Sequence, residues 1–395
     1  MNTPLRIGYI PLVDAAALIV AVDHGFAAAE GLTIELVREV SWSNVRDKLN
    51  IGLFDAAHML SPMAIASSLG IGHVRVPIIA PFNLGVNGNA ITVSPRLHVD
   101  LSALADGDLV DPKVSARALA RVVAERKARG VDPLTFGMTF PFSHHNYQLR
   151  FWMAAGGIDP DDDVRLVVLP PPYMVESLAS GHVDGFCVGA PWNSVAVDLG
   201  VGHVLHFGCE IQAYVTEKVF AVREQWASKH PEMLAALVRA LAAAVKFVDS
   251  SGNRAMVSET IARRVGVEPD LVARALTGQM KIAPDGAVRA DSRYMLIGRA
   301  AASRPDPVQA AWIYAQIVRW GQAPMSEASL AAAQSVFRPD LYDAAVGTAP
   351  PFGPSDPSDG IGAFAGPAFD PANIVGHLTA WRIKSPTRPR LSLVR

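Results

Sequence analysis

Cysteine is nearly missing from this chain of 395 residues. Cys187 and Cys209 are the only two, too few for a disulfide framework or a zinc cluster, and both are expected as buried free thiols. Neither sign of charge is in excess: 35 Lys plus Arg stand against 37 Asp plus Glu, a formal net charge of −2. That balance removes the overall basic footprint of a protein that grips nucleic acid directly. No apolar run reaches the roughly 18 residues that span a membrane. The longest candidate, residues 233–248, is interrupted by Arg239 and Lys246. Also missing are the G-x-x-x-x-G-K-[ST] phosphate loop, the G-x-S-x-G elbow, the H-E-x-x-H zinc helix and a carboxylate pair beside a histidine. The expectation is a binding protein with no catalytic residues, no metal and no cofactor.

The amino terminus leaves little room ahead of the first strand. Met1-Asn-Thr-Pro-Leu-Arg6 runs directly into Ile7-Gly8-Tyr9-Ile10, whereas a secretory leader needs a basic region, 7–15 apolar residues and a cleavage site. With Met1 as the start, the expected location is the cytoplasm.

What is present is a well-packed α/β pattern. Half of the residues are hydrophobic and 18% are charged, and the length exceeds what one core holds. Residues 5–10, 32–37, 55–59 and 74–80 read as strands, separated by helices over 14–29, 42–50 and 62–69. A second alternating set follows: helices over 114–129 and 144–155, strands over 135–139, 164–169 and 183–188. The helix at 144–155 presents Leu149, Trp152 and Met153 on one face and stops at Gly156 and Gly157. Beyond 208 the chain returns to the first lobe and, from 231 to 337, is mostly helical. Residues 349–372 hold six prolines and four glycines and read as a wrapping tail. The expected domains are therefore lobe I over 1–92, lobe II over 93–208, the return of lobe I over 209–346 and the tail over 347–395. Two α/β lobes joined by two crossings make a hinged cleft at the carboxyl ends of two mostly parallel sheets, where such folds bind small molecules.

An ordered set of segments carries more. Gly8-Tyr-Ile-Pro-Leu-Val-Asp-Ala-Ala-Ala17, Ser41-Trp-Ser-Asn-Val-Arg-Asp-Lys-Leu49 and Asp55-Ala-Ala-His-Met-Leu60 are followed by Asn87-Gly-Asn-Ala-Ile-Thr92. Then come Arg150-Phe-Trp-Met-Ala-Ala-Gly-Gly-Ile-Asp159, Gly185-Phe-Cys-Val-Gly-Ala-Pro-Trp-Asn193, Thr216-Glu-Lys-Val-Phe220 and Phe369-Asp-Pro-Ala-Asn373. In these the chain resembles the nitrate/bicarbonate-binding proteins of ABC importers, a branch of the type II periplasmic-binding-protein fold, over nearly its whole length. The resemblance implies a ligand site at Trp42, Asn89, His145, Pro171, Val188 and Lys218. Lys218 would bring a cation, Trp42 an indole N–H, His145 and Asn89 further donors, and Pro171 and Val188 apolar walls. Trp42 and His145 fall in the first turns of helices, where free N–H groups also favour an anion. Each has a plainer reading: Trp42 and Val188 as core, Asn89 as a turn residue, Pro171 as a loop stiffener, His145 and Lys218 as solvated surface groups.

Transport relatives commonly place an acidic residue where this chain has Ala190, and Gln where it has Asn89. The bicarbonate relatives put an acidic residue at the position of Lys218 and use calcium, so Lys218 favours nitrate or nitrite. Together with the expected cytoplasmic location, the resemblance points to the NasS-type leaderless subgroup. That implies a nitrate/nitrite sensor which holds an ANTAR-type RNA-binding antiterminator inactive until the anion binds. The alternatives are a receptor of an ABC importer and a small-molecule enzyme on the same fold.

Overall fold

The computed structural model describes residues 4–348 and 360–381. Its strands are, in chain order, β1 (Leu5–Tyr9), β2 (Ile34–Arg38), β3 (Ala56–Leu60), β4 (Ile78–Asn87), β5 (Asn89–Val93), β6 (Thr135–Met138), β7 (Arg165–Val168) and β8 (Gly185–Gly189). They continue as β9 (His203–Phe207), β10 (Gln212–Ala213), β11 (Thr216–Arg223), β12 (Gln279–Lys281), β13 (Val288–Ala290), β14 (Met295–Leu296) and β15 (Gly362–Ala363).

Two of the sheets form the two lobes. The first has the order β14-β4-β11-β3-β1-β2 and the second β7-β6-β8-β5-β9. Both are mixed, not mostly parallel. The βα units keep β1, β2 and β3 parallel in one and β6, β7 and β8 parallel in the other. The strands nearest the crossings run against them: β11 is antiparallel to β3 and β4, and β5 to β8 and β9. Their direction follows from a chain that enters each lobe from the other.

The first crossing lies at Gly88. Asn89–Val93, read from the sequence as the end of lobe I, pairs instead in the second sheet. Asn87 and Gly88 both take left-handed backbone, φ 60° and 97°, and a Cβ at Gly88 would stand 2.7 Å from Met295 Cε. The return passes through Tyr214, also left-handed at φ 39°. The two crossings are tied together: Asn87 N–H donates to Val215 O at 2.9 Å, and Val215 N–H to Asn87 Oδ1 at 3.0 Å.

Apolar helices cover both faces of the sheets. Ala16–Asp23 and Pro231–Asp249 share one core with β1 and with the far faces of β3, β4 and β11. Pro112–Ala128, His144–Ala155 and Pro307–Arg319 contribute to the other. The helix read over 14–29 is broken, with a 3₁₀ turn at Val13–Ala15 and a stop at left-handed Gly25. Of the expected tail, 349–359 and 382–395 lie outside the described residues. The part between them packs: β15 pairs with β10, Phe369 sits edge-on to Trp312 and Trp381 stacks on Phe151. No helix among the described residues is long and apolar enough to cross a membrane.

Candidate functional site

The carboxyl edges of β1 and β3, together with β11, bring four ionisable side chains into one buried centre. Asp14 follows β1 in the 3₁₀ turn Val13–Ala15; His58 lies on β3; Glu217 and Lys218 are neighbours on β11. Successive residues of a strand normally face opposite ways. Here β11 shifts register against β4 on both sides of Lys218, and the irregularity lets both side chains meet. Lys218 Nζ stands 2.9 Å from Asp14 Oδ2 and 2.9 Å from Glu217 Oε1. His58 Nε2 lies 3.0 Å from the second oxygen of Asp14. Trp42 opens the helix Trp42–Asn50, whose cap is Ser41 Oγ accepting from Asn44 N–H. Its ring lies 5.4 Å from Lys218 Nζ and meets the His58 ring edge-on at 5.3 Å.

The second lobe faces this cluster with groups that are polar but uncharged. Asn89 starts β5 and donates from Nδ2 to Glu217 Oε2 at 2.8 Å and to Gln148 Oε1 at 3.3 Å. His144 and His145 open the helix His144–Ala155, capped by Ser143 Oγ on Asn146 N–H. His145 Nδ1 lies 2.9 Å from Thr139 Oγ1 and 3.6 Å from Glu217 Oε1. His144 Nδ1 pairs with Gln212 Oε1 at 3.2 Å. From β8, Cys187 Sγ reaches Gln148 Oε1, and a Cβ at Gly189 would lie 3.5 Å from both Asp14 Oδ2 and Asn89 Oδ1. Gly189 thus packs its backbone directly between Asp14 and Asn89, one from each lobe.

Four of the six residues expected from the sequence meet here: Trp42, Asn89, His145 and Lys218. Pro171 is buried at the head of the turn Pro171–Tyr173 and takes no part in the hydrogen-bonded cluster. Val188 packs with Met174 and Phe186 in a satellite core, its side chain on the strand face opposite Cys187. Lys218 carries a positive charge, and two carboxylates, Asp14 and Glu217, already meet it. Those carboxylates were missed, as were His58, Gln148 and Gly189. A signal was available: Asp14 stands inside an apolar run, and Glu217-Lys218 precedes Val-Phe-Ala-Val in a strand. A charge carried into a core must find a partner there.

The centre is sealed, with Asp14, Trp42, His58, Asn89, His145, Glu217 and Lys218 each at most 1% exposed. Burial pushes both carboxyls up, yet Lys218 with the neighbouring histidines outweighs it and holds Asp14 and Glu217 below the usual carboxylate range. Burial likewise opposes charge on Lys218, but its two carboxylates hold its pKa above the ordinary value. The histidines go the other way: burial dominates and pushes His58 and His144 down, and His145 to about 3. At neutral pH the centre therefore holds two negative charges, one positive and neutral imidazoles. Burial raises the Cys187 thiol far above its ordinary value, so it is no nucleophile. Buried polar atoms of the centre without a hydrogen-bond partner among the described residues include Trp42 Nε1, His58 Nδ1, His144 Nε2, His145 Nε2 and Asn89 Oδ1. Nor are three His, Cys, Asp or Glu side chains among the described residues arranged to hold a metal ion.

The NMT1-like family profile matches residues 1–262. The chain belongs to this family. Among its relatives, the nitrate/nitrite binding protein NrtA of Nostoc sp. PCC 7120 is 32% identical over 97% of this chain and 86% of that protein. The nitrate import ATP-binding protein NrtC of Synechocystis sp. PCC 6803 is 33% identical over 86% of this chain; the match spans 49% of that relative, about half its length. The crystal structure of the periplasmic nitrate-binding protein NrtA from Synechocystis PCC 6803 superposes with a TM-score of 0.84 at 27% identity. It covers 96% of this chain and 98% of that one. The NMT1-like chain described here therefore has the two-domain α/β periplasmic-binding-protein fold.

Proposed function

We propose that the sealed centre binds nitrate or nitrite, with Trp42, Asn89, His145 and Lys218 as its ligands, and that the protein is a binding protein and not an enzyme. The observation that carries this reading is the set of buried, unpartnered ring nitrogens in the centre, Trp42 Nε1 and His58 Nδ1 from one lobe and His144 Nε2 and His145 Nε2 from the other. Buried polar atoms without partners are uncommon in a folded protein, and a small flat oxyanion would accept from Trp42 Nε1 and from each imidazole nitrogen that carries a proton. The likeness to NrtA over 86% of its length supports the same ligand class.

In its finer form the proposal is a cytoplasmic sensor that holds an ANTAR-type RNA-binding antiterminator inactive and releases it when the anion binds. A closed cleft presents a different outer surface from an open one, so a partner that fits only the open form is released as the anion accumulates. The near-neutral charge balance leaves contact with RNA to that partner. Likeness to NrtA favours a second reading, a receptor of an ABC importer.

Calorimetry against nitrate, nitrite, bicarbonate and sulfate tests the ligand. Heat with nitrate or nitrite is expected, and heat with sulfate alone refutes it. Gel filtration of the co-expressed pair, with and without millimolar anion, tests the sensor. Dissociation is expected; a complex that survives an anion the protein binds refutes release, and no complex at all favours the receptor.

A further inference from the structure

The charge of the centre has a consequence for any anion that enters it. Asp14 and Glu217 carry two negative charges against the single positive charge of Lys218, behind walls that exclude water. A monoanion added to this set would bring the sealed space to two uncompensated negative charges. Buried groups neutralise instead of accepting that cost. Resting on the anion-binding reading above, we propose that the centre takes up its anion together with one proton, and that the proton goes to His145.

Three imidazoles of the centre, His58, His144 and His145, each leave a ring nitrogen unpartnered, and of these His145 is the one whose other nitrogen faces a carboxylate across the lobes. Lys218 is already protonated and clamped between its carboxylates. Protonating Glu217 would weaken its contacts with Lys218 Nζ and Asn89 Nδ2. Asp14 is met on both oxygens, by Lys218 and by His58, so the His58–Asp14 pair is already served within its own lobe. His145 crosses the lobes: its Nδ1 lies 3.6 Å from Glu217 Oε1 and 2.9 Å from Thr139 Oγ1, while its buried Nε2 has no partner among the described residues. As imidazolium it carries an N–H on each side, one toward Glu217 and Thr139 and one toward the anion. The charged and titratable groups that bear on it are Glu217, Lys218, Asp14 and His144. Glu217 and Asp14 favour the imidazolium; Lys218 and His144 oppose it. With burial, that opposition keeps the imidazole neutral until the anion arrives.

The site thus binds the elements of an acid: the proton lost from water appears on His145, and the net charge of the centre is unchanged. Linkage then makes affinity fall by about tenfold for each pH unit between the value His145 has in the free protein and the higher value it acquires in the complex, and level off above the latter. The test is calorimetry of the full chain with nitrate and with nitrite at one pH, in buffers of different ionisation enthalpy. Uptake close to one proton in wild type, absent in His145→Gln and kept in His182→Gln, at an exposed histidine outside the centre, is the expected result. Nitrogen-15 spectra of the histidine rings supply a readout that needs no variant: the anion should convert one imidazole to the imidazolium pattern. Binding with no proton uptake and an affinity flat from pH 6 to 8 overturns the proposal. Uptake that persists in His145→Gln overturns the assignment to His145. Binding of neither anion at any pH between 5 and 8 instead removes the anion-binding reading itself.

Discussion

The two lobes build the same centre with opposite chemistry. The six-stranded side supplies every charge: Asp14, Glu217 and Lys218, with His58 and Trp42 around them. The five-stranded side supplies only neutral polar groups: Asn89, His144, His145, Gln148 and the backbone of Gly189. The charges of the centre are compensated within one lobe, so parting the lobes separates no charged pair of the centre. Among the charged groups of the centre, Glu217 is the one whose side chain reaches across the boundary, accepting from Asn89 and facing His145. The charged side holds itself together, and the neutral side leaves the ring nitrogens His144 Nε2 and His145 Nε2 unpartnered. A sealed site that must also open benefits from this division, because a buried ion pair split between lobes would resist separation.

Breaking the charged side should have the largest effect. Lys218→Met keeps an apolar stem of similar length and leaves Asp14 and Glu217 facing one another without a cation. Removing one partner of a buried ionic cluster typically costs about 3–5 kcal/mol. Urea unfolding should show a loss of that size, and nitrate or nitrite binding should vanish. A variant as stable as wild type would mean that the carboxylates do not depend on Lys218 for their charge.

This division also explains how much of the molecule was legible in the sequence. The strand–helix alternation placed most strands and the helices at Trp42–Asn50 and His144–Ala155, because their apolar spacing and Ser caps are local signals. The short β5 was assigned to the wrong lobe, since pairing partners more than a hundred residues away decide its sheet. At the site, the neutral donors Asn89 and His145 and the cation Lys218 came from resemblance. Asp14 and His58 did not, because their roles arise only when β1, β3 and β11 lie side by side. Val188, expected as a wall, packs with Met174 and Phe186, because a one-residue alternation decides which face of β8 a side chain takes.

Acid sharpens the comparison by charging the neutral side. His144, His145 and His58 are held below 6.5 in the fold, His145 at about 3, so the unfolded chain takes up their protons first. Their depressed values confer stability that is complete above pH 6.5 and is lost as pH falls toward each folded value. The slope is up to about 1.4 kcal/mol per pH unit for each histidine. Asp14 and Glu217, depressed from 3.8 and 4.5, add to the loss only below those values. Urea midpoints of the ligand-free protein should therefore drop steadily from pH 7 to pH 5, before the carboxyls take part, and His145→Gln should make that slope shallower. Midpoints that stay level over this range would show that the imidazoles are not held neutral.

The smallest effect belongs to a pair with the same charges as Lys218 and its carboxylates but set in water. Lys127 Nζ lies 3.4 Å from Asp163 Oδ1, with 77% of the lysine side chain exposed. Water already solvates both groups, salt screens them, and fixing the long lysine stem costs entropy, so an exposed pair contributes between zero and about 1 kcal/mol. Lys127→Ala is therefore expected to shift the unfolding free energy by less than about 0.5 kcal/mol, in a helix where alanine is well tolerated. The same measurement in 1 M sodium chloride, where the Debye length falls to about 3 Å, should erase even that difference. Lys218→Met should keep most of its loss in that salt, because its carboxylates are out of reach of ions. Salt that rescued both variants equally would contradict the sealed charged lobe and place Asp14 and Glu217 within reach of solvent.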